Sequence, residues 1–502
     1  MPFSQRSHAV AVAAVFLLSA ASLVGTNALA QSTPPREMPM AACSIPGVVV
    51  SARCGVHLVP ENRSAKEGRK IGLRVVVLGA SLAPRATDPL VLLAGGPGVG
   101  AADLAKQIGS HPLAYRDMVL IDQRGTGGSN PLRCPLGSVV QSVHLLDSIF
   151  PESLVQRCLS QVQPLADLTQ YTTSIAVEDL NDVLTWLGYD KINLLGGSYG
   201  TRVALEFLRR HGERVRTLRL TAALPPTESS VLGEARNAQD ALDNLFVLCD
   251  RSVECHGAFP NLRREFEDIV KNVTAAPLPV KVSFPGANRD LRIGRTGFAI
   301  SVQHALYGPL ARWLPLLIHQ AYMSKDLSWF AEYFVSLGLS EFEGMSMGLH
   351  LSIQCSEDVP TASADAIAAA TAGTFMGDAL YKQMLDACAL WPKATTPSDF
   401  HLAVRSEVPT LIETGFHDPI TPARYAKMIN RTLPNSLVVI WPFGGHGGRG
   451  TPTDYQCGAT LDRSLFQKAS VVGVDTSCVE HSSPFAFPVS GQPPKDIMMP
   501  GR

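Results

Sequence analysis

The segment Ile192-Asn193-Leu194-Leu195-Gly196-Gly197-Ser198-Tyr199-Gly200-Thr201 constrains this chain more than any other. An apolar run ends in a Gly-x-Ser-x-Gly turn, and a helical stretch begins near Thr201. A serine flanked by small residues at a strand-to-helix turn stands clear of the backbone, and a substrate can approach it. Its hydroxyl is a poor nucleophile until a base takes the proton. The turn therefore predicts a histidine and a carboxylate elsewhere in the chain, with the Tyr199 backbone N–H as one donor to a developing oxyanion. The competing reading is a glycine-rich turn with no chemistry attached.

Around this turn, from Leu73 to Ala222, short aliphatic runs alternate with helical stretches. That is the pattern of a mostly parallel sheet with helices on both faces. Strands are expected at 73–78, 90–94, 118–122, 192–195 and 218–221. Leu180, Val183, Leu184 and Leu187 recur at helical spacing and stop at Gly188. After Pro225-Pro226 the strand signals give way to long amphipathic stretches, Ala238 to Cys249 and Phe298 to Tyr322, which predict an inserted, mostly helical cap. Strand-like runs return at 410–413 and 437–441, each followed by a Gly-rich loop, so the sheet resumes after the insertion. The expected organisation is a signal peptide over 1–30, a first core part over 31–225, the cap over 226–350, a second core part over 351–481 and a loosely held tail over 482–502.

The signal-peptide reading rests on Arg6, the apolar run from Ala9 to Gly25 and the small residues Ala28 and Ala30, with cleavage expected after Ala30. It predicts a secreted or periplasmic protein with no stable membrane span after cleavage. The ten cysteines agree, because an even number in an oxidising compartment suggests disulfides. They fall as neighbours: Cys43 and Cys54, Cys134 and Cys158, Cys249 and Cys255, Cys355 and Cys388, Cys457 and Cys478. Nearest-neighbour pairing is the expectation, although spacing alone does not fix connectivity. No Cys/His spacing suits zinc, and neither a metal nor a cofactor is expected. Hydrophobic residues make up 46% of the chain and charged ones 17%, a globular balance. The net charge is −1 with no run of like charges, which offers nothing to hold a nucleic acid.

The rest of the constellation follows in chain order. Gly95-Gly96-Pro97-Gly98, after the strand at 90–94, has the free backbone amides an oxyanion needs, with Gly96 the favoured donor and Gly95 the alternative. A phosphate loop is the weaker reading, since the Lys and spacing of a P-loop are missing. Asp418 lies in Gly415-Phe416-His417-Asp418-Pro419-Ile420-Thr421-Pro422, and His446 in Gly444-Gly445-His446-Gly447-Gly448. Serine, then acid, then histidine is the order of the α/β-hydrolase fold. The competing readings are a turn or capping aspartate and a surface-loop histidine. His417 is read as a loop neighbour of the acid.

These residues resemble the prolyl aminopeptidase and tripeptidyl aminopeptidase branch of α/β-hydrolase serine peptidases. The resemblance is carried by Gly95-Gly96-Pro97-Gly98, by Asp122-Gln123-Arg124-Gly125-Thr126-Gly127-Gly128-Ser129, by the Ser198 turn and by the Asp418 and His446 loops, from about residue 70 to 450. It departs at Ala94, where the branch often has His. The resemblance implies release of amino-terminal residues or short peptides beneath a helical cap, without a metal. Asp122 and Arg124 are expected to be a buried structural pair. An aminopeptidase needs an anion for the substrate's ammonium group, and Glu357 and Asp358, where the cap should rejoin the core, are the candidates; solvent-facing loop acids are the alternative. The rival functions are an esterase or lipase-like enzyme with the same triad and, from another class, a noncatalytic binding protein on the same fold. Peptides with a free amino terminus are the expected partners. The oligomeric state is open.

Overall fold

The computed structural model describes residues 35–494, apart from 66, 110–114, 135–144, 285–286, 360–361 and 485. The expected signal segment lies outside the described residues, as does the end of the expected tail, 495–502. In chain order the strands are β1 (Met38–Cys43), β2 (Ala52–Pro60), β3 (Lys70–Leu78), β4 (Leu90–Leu93), β5 (Met118–Ile121) and β6 (Leu145–Leu146). They continue as β7 (Ile192–Gly197), β8 (Val215–Thr221), β9 (Leu278–Phe284), β10 (Ala287–Ile293), β11 (Thr410–Gly415) and β12 (Ser436–Trp441).

Nine of them form one sheet in the order β1-β2-β3-β5-β4-β7-β8-β11-β12. The run from β5 to β12 is parallel, and β1, β2 and β3 form an antiparallel edge. Residues Ile192 to Leu195 of β7 and all of β11 are buried, as expected of central strands covered on both faces. Together with the helical insertion, this is the α/β-hydrolase fold that the motifs implied. The antiparallel strands β1 and β2 escaped the sequence reading. Arg53, Gly55 and His57 alternate with Ala52, Cys54, Val56 and Leu58, so β2 shows no continuous aliphatic run, and it is only partly buried.

No strand of the large sheet occurs between β8 and β11 among the described residues. This stretch builds its own apolar core from Leu242, Phe266, Phe298, Leu317 and Phe330, among others. Two details differ from the sequence reading. Strands were not expected here, yet β9 pairs with β10 in a small sheet; Val280 and Val282 are buried while Lys281 and Ser283 are exposed, a period of two. The amphipathic stretch 298–322 is two helices, Arg295–Ala305 and Leu314–Ser324, parted by a 3₁₀ turn at Pro309–Trp313. Pro309 and Pro315 sit in the first turn of their segments, where a missing N–H costs nothing. The helices Met347–Ile353 and Ala379–Leu390 then bury Leu349, Ile353, Tyr381 and Met384 against the main core.

All ten cysteines are bridged as sequence neighbours: Cys43–Cys54, Cys134–Cys158, Cys249–Cys255, Cys355–Cys388 and Cys457–Cys478. Among the described residues no helix is long and apolar enough to cross a membrane.

Candidate active site

Ser198 follows β7 with φ 54° and ψ −124°, and the helix Tyr199–His211 starts at the next residue. A non-glycine residue at positive φ is strained, and such strain concentrates at functional sites. Two nearby glycines, Gly196 and Gly200, are needed for steric reasons. A Cβ on Gly200 would stand 2.1 Å from the Leu93 carbonyl oxygen, and one on Gly196 2.6 Å from that of Gly200. The Ser198 N–H donates to the Thr221 carbonyl at 2.9 Å, fixing the turn to β8.

The loop after β4 lies against this turn. A Cβ on Gly95 would be 3.2 Å from Ser198 Cβ, so the loop approaches as closely as a glycine permits. Gly96 has φ +111°, open to glycine but not to L side chains. The Gly98 carbonyl accepts from the Ser346 N–H at 2.9 Å, and the Pro97 carbonyl lies 3.3 Å from His350 Nδ1. The segment that ends the insertion therefore holds the glycine loop in place.

Asp418 and His446 meet where β11 and β12 end. His446 Nδ1 is 3.0 and 3.1 Å from the two Asp418 oxygens. Asp418 also accepts from the N–H groups of Ile420 and Thr421, at 2.9 and 2.8 Å, and from Thr421 Oγ1 at 2.8 Å. Burial alone would raise its pKa. The His446 charge and hydrogen bond and the two amides outweigh it and hold the carboxyl below its ordinary value. The Tyr307 ring lies 4.9 Å from the His446 ring, tilted by 57°, and itself stacks on His304. Thr421 and Tyr307 were not singled out from sequence. The Thr-Pro that opens the helix after Asp418 was the available signal for the first; nothing local marked the second.

Ser198, His446, Gly95, Gly96 and Tyr199 all line one cavity of about 500 Å³. Among the described hydrogen bonds none joins Ser198 Oγ to the His446 ring, although both residues line the cavity. The insertion supplies much of the wall, including Ile300, Tyr307, Val335 and Met345, and one acid, Glu234, which accepts from Gln303 Nε2 at 2.8 Å.

Of the two acids expected to meet an ammonium group, Asp358 lies on the cavity wall and Glu357 does not. Glu357 is fully buried and is absent from the cavity wall; it accepts from the Thr173 N–H at 2.6 Å and Thr173 Oγ1 at 2.8 Å. Asp358 reaches the wall, but Arg202 Nη1 lies 2.9 Å from both of its oxygens, so its charge is already matched. Neither is a solvent-facing loop acid, because one π-helical turn, Gln354–Asp358, turns both inward. His417 is buried behind Asp418 and off the cavity wall, and burial pushes its pKa down to about 4.

Asp122 and Arg124 are both buried but do not pair with each other. Asp122 accepts from the N–H groups of Ala102 and Gly128, both at 2.8 Å, while Arg124 grips Asp179 at 2.6 and 2.7 Å and the carbonyls of Glu61 and Gln170. Between them, Gln123 Nε2 donates to the Tyr199 hydroxyl at 3.1 Å. That hydroxyl also lies 2.7 Å from Thr173 Oγ1, so a chain of hydrogen bonds runs from Glu357 to the residue after Ser198.

Residues 88–247, which include the glycine loop and Ser198, match the family described as alpha/beta hydrolase fold. Residues 373–478, which include Asp418 and His446, match the family described as TAP-like protein. The serine protease Hip1 of Mycobacterium tuberculosis is 25% identical over 433 residues, 78% of this chain and 81% of that protein. The proline iminopeptidase of Neisseria gonorrhoeae is 30% identical over 149 residues, 29% of this chain and 37% of that protein. The crystal structure of proline iminopeptidase from Mycobacterium smegmatis aligns over 82% of this chain and 98% of its own, at 14% identity and a TM-score of 0.36. The chain is a serine hydrolase of the α/β-hydrolase fold whose residues 373–478 match the TAP-like family, and the relatives it resembles include a serine protease and proline iminopeptidases.

Proposed function

We propose that this chain is an exported aminopeptidase that releases amino-terminal residues or short peptides through an acyl-enzyme on Ser198. The observation that carries the reading is the cavity, which collects Ser198, His446 and the Gly96 and Tyr199 backbones under walls supplied by the insertion. Ser198 Oγ attacks the scissile carbonyl as its proton passes to His446 Nε2, the ring nitrogen that Asp418 does not occupy. The N–H groups of Gly96, or Gly95, and Tyr199 stabilise the negative oxygen. The C–N bond breaks as His446 returns the proton to the leaving amine. Water then loses a proton to His446, attacks the ester and frees Ser198. Asp418 holds the Nδ1–H and stabilises the imidazolium.

The substrate's ammonium group needs a carboxylate. Glu234 is a candidate on the cavity wall, where Arg202 pairs with Asp358 and from which Glu357 is absent. Export is supported by five disulfides, which persist in oxidising compartments. The substrates are peptides with a free amino terminus.

A second reading, an esterase with the same three residues, is favoured by the apolar wall of Ile149, Phe150, Ile300, Val335 and Met384. Matched peptide amides with free and acetylated amino termini, assayed beside simple esters, decide between them. The aminopeptidase reading requires turnover of the free peptides and little of the blocked ones. Equal turnover of both, with faster ester cleavage, rejects it. Ser198→Ala should lower turnover by about 10⁴-fold or more, as other triad deletions do.

A further inference from the structure

The loop between β12 and the helix Pro452–Lys468 carries His446 among five glycines, at 444, 445, 447, 448 and 450. Gly447 and Gly448 have φ of +101° and +86°. A segment so rich in glycine has many conformations to lose when it is fixed, so something must hold it for the imidazole to stay on Asp418.

One carboxylate binds both ends of this loop. Trp441, the last residue of β12, donates Nε1–H to Glu413 Oε1 at 3.2 Å. Arg449, three residues after His446, reaches the same group: Nε is 3.1 Å from Oε1, and Nη2 is 3.0 and 2.9 Å from Oε1 and Oε2. Glu413 is fully buried and lies on β11, five residues before Asp418. Asp462, on the following helix, accepts from Arg449 Nη2 at 2.9 Å. Gly458 makes room for the guanidinium; a Cβ there would stand 2.0 Å from Arg449 Nε. Arg219, on β8, also contacts Glu413 and Asp462, at 2.7 and 2.8 Å, so two cations face two anions.

We infer that Arg449, acting through Glu413, is a positioning residue that sets His446 against Asp418; this rests on the reading of His446 as the base. The planar fork of an arginine fixes orientation as well as charge, which an ammonium group does not. Arg219 serves as the internal control, because it holds the same carboxylate from β8 without touching the histidine loop.

The test uses Arg449→Met, Arg449→Lys, Arg219→Met and His446→Ala in the full-length protein. For each, kcat, KM and the rate of fluorophosphonate modification of Ser198 are measured at a temperature where the variant is folded by circular dichroism. A histidine displaced by about an ångström costs roughly 10²-fold, so Arg449→Met should lower kcat and the labelling rate by that factor, with KM changed by less than about 3-fold. Arg449→Lys should recover about tenfold of the loss, and Arg219→Met should lose stability while keeping kcat within about 3-fold of the parent. A folded Arg449→Met protein with parental kcat overturns the inference, as does an equal fall in kcat for Arg219→Met. If Arg449→Met does not fold, a folded Arg449→Lys protein with parental kcat overturns it. Parental activity in His446→Ala would instead remove the reading of the base itself.

Discussion

Asp358 and Arg202 form an ion pair closed to water: Arg202 Nη1 lies 2.9 Å from both carboxylate oxygens, and the side chains are 2% and 1% exposed. Arg202 belongs to the helix that begins beside Ser198, and Asp358 to the π-helical turn Gln354–Asp358. The Ser230 N–H and hydroxyl complete the carboxylate's shell at 3.1 and 2.9 Å. Removing one partner leaves the other charge buried and unmatched, which costs about 3–5 kcal/mol. Asp358→Ala should destabilise the fold by that amount in urea unfolding. At temperatures where it remains folded, KM should change alike for free and blocked peptides. A selective rise for free peptides would return Asp358 to the role of ammonium site.

Glu357 makes the fold sensitive to pH near neutrality. Burial pushes its pKa up to about 7, against hydrogen bonds from Thr173 and the Arg202 charge, which favour the ionised form. Between its ordinary value of 4.5 and about 7, the folded chain therefore binds a proton that the unfolded chain has released. Stability contributed by this group is full below the lower value and falls as pH rises to the upper one. Glu357→Gln, which keeps an acceptor for the Thr173 N–H, should remove this decline. Its stability relative to the parent should rise between pH 5 and pH 8 by on the order of 1–3 kcal/mol. Thermal melts of both proteins at the two pH values measure the difference, and a constant offset would mean that Glu357 does not titrate in this window.

The glycines around Ser198 are not equivalent. Gly200 has no room for a methyl group, because the obstacle at 2.1 Å is the Leu93 backbone and cannot swing aside. A Cβ on Gly197 would meet nothing within 4 Å. Gly200→Ala should push the helix away from β4, displacing the Tyr199 amide, and lower kcat by about 10²-fold or more. Gly197→Ala should stay within about tenfold of the parent, since the added methyl group meets no obstacle and the backbone there is not in the left-handed region. Steady-state kinetics on any accepted ester or peptide distinguishes the two, and equal losses would contradict the steric account.

The sequence made the central strands and the site loops legible for a common reason. Buried parallel strands read as unbroken aliphatic runs, as in Leu90 to Leu93, and a nucleophile turn needs small residues at fixed offsets. What it concealed was long-range partnership. Nothing near Glu357 indicates that Thr173, 184 positions earlier, will donate two hydrogen bonds to it, or that Arg202 will meet Asp358. Two adjacent acids after a cysteine look like surface chemistry until a π-helical turn points both inward. Arg124 is a similar case: the motif displays its charge, but Asp179, on a helix 55 residues on, determines what it does. Strand β2 was missed because an antiparallel strand need not be apolar on both faces, and Arg53 and His57 interrupt its aliphatic residues.

Glu234 is where charge recognition on the cavity wall can be tested most directly. It lies in the helix Ser230–Arg251 of the insertion, and its carboxylate accepts from Gln303 Nε2 at 2.8 Å. An amide of the same shape keeps an acceptor for that bond but cannot match a substrate cation. If the carboxylate holds the ammonium group, Glu234→Gln loses a charge-assisted hydrogen bond in a partly desolvated site, on the order of 2 kcal/mol. KM for free peptides should then rise about 10- to 100-fold, while kcat/KM for a neutral ester stays within about 2-fold of the parent. Acetylated peptides should lose nothing further, because they carry no charge for Glu234 to recognise. Parallel losses on the ester and the free peptide would show that Glu234 shapes the cavity without reading the amino terminus, and the acid that does so would have to be sought elsewhere on its wall.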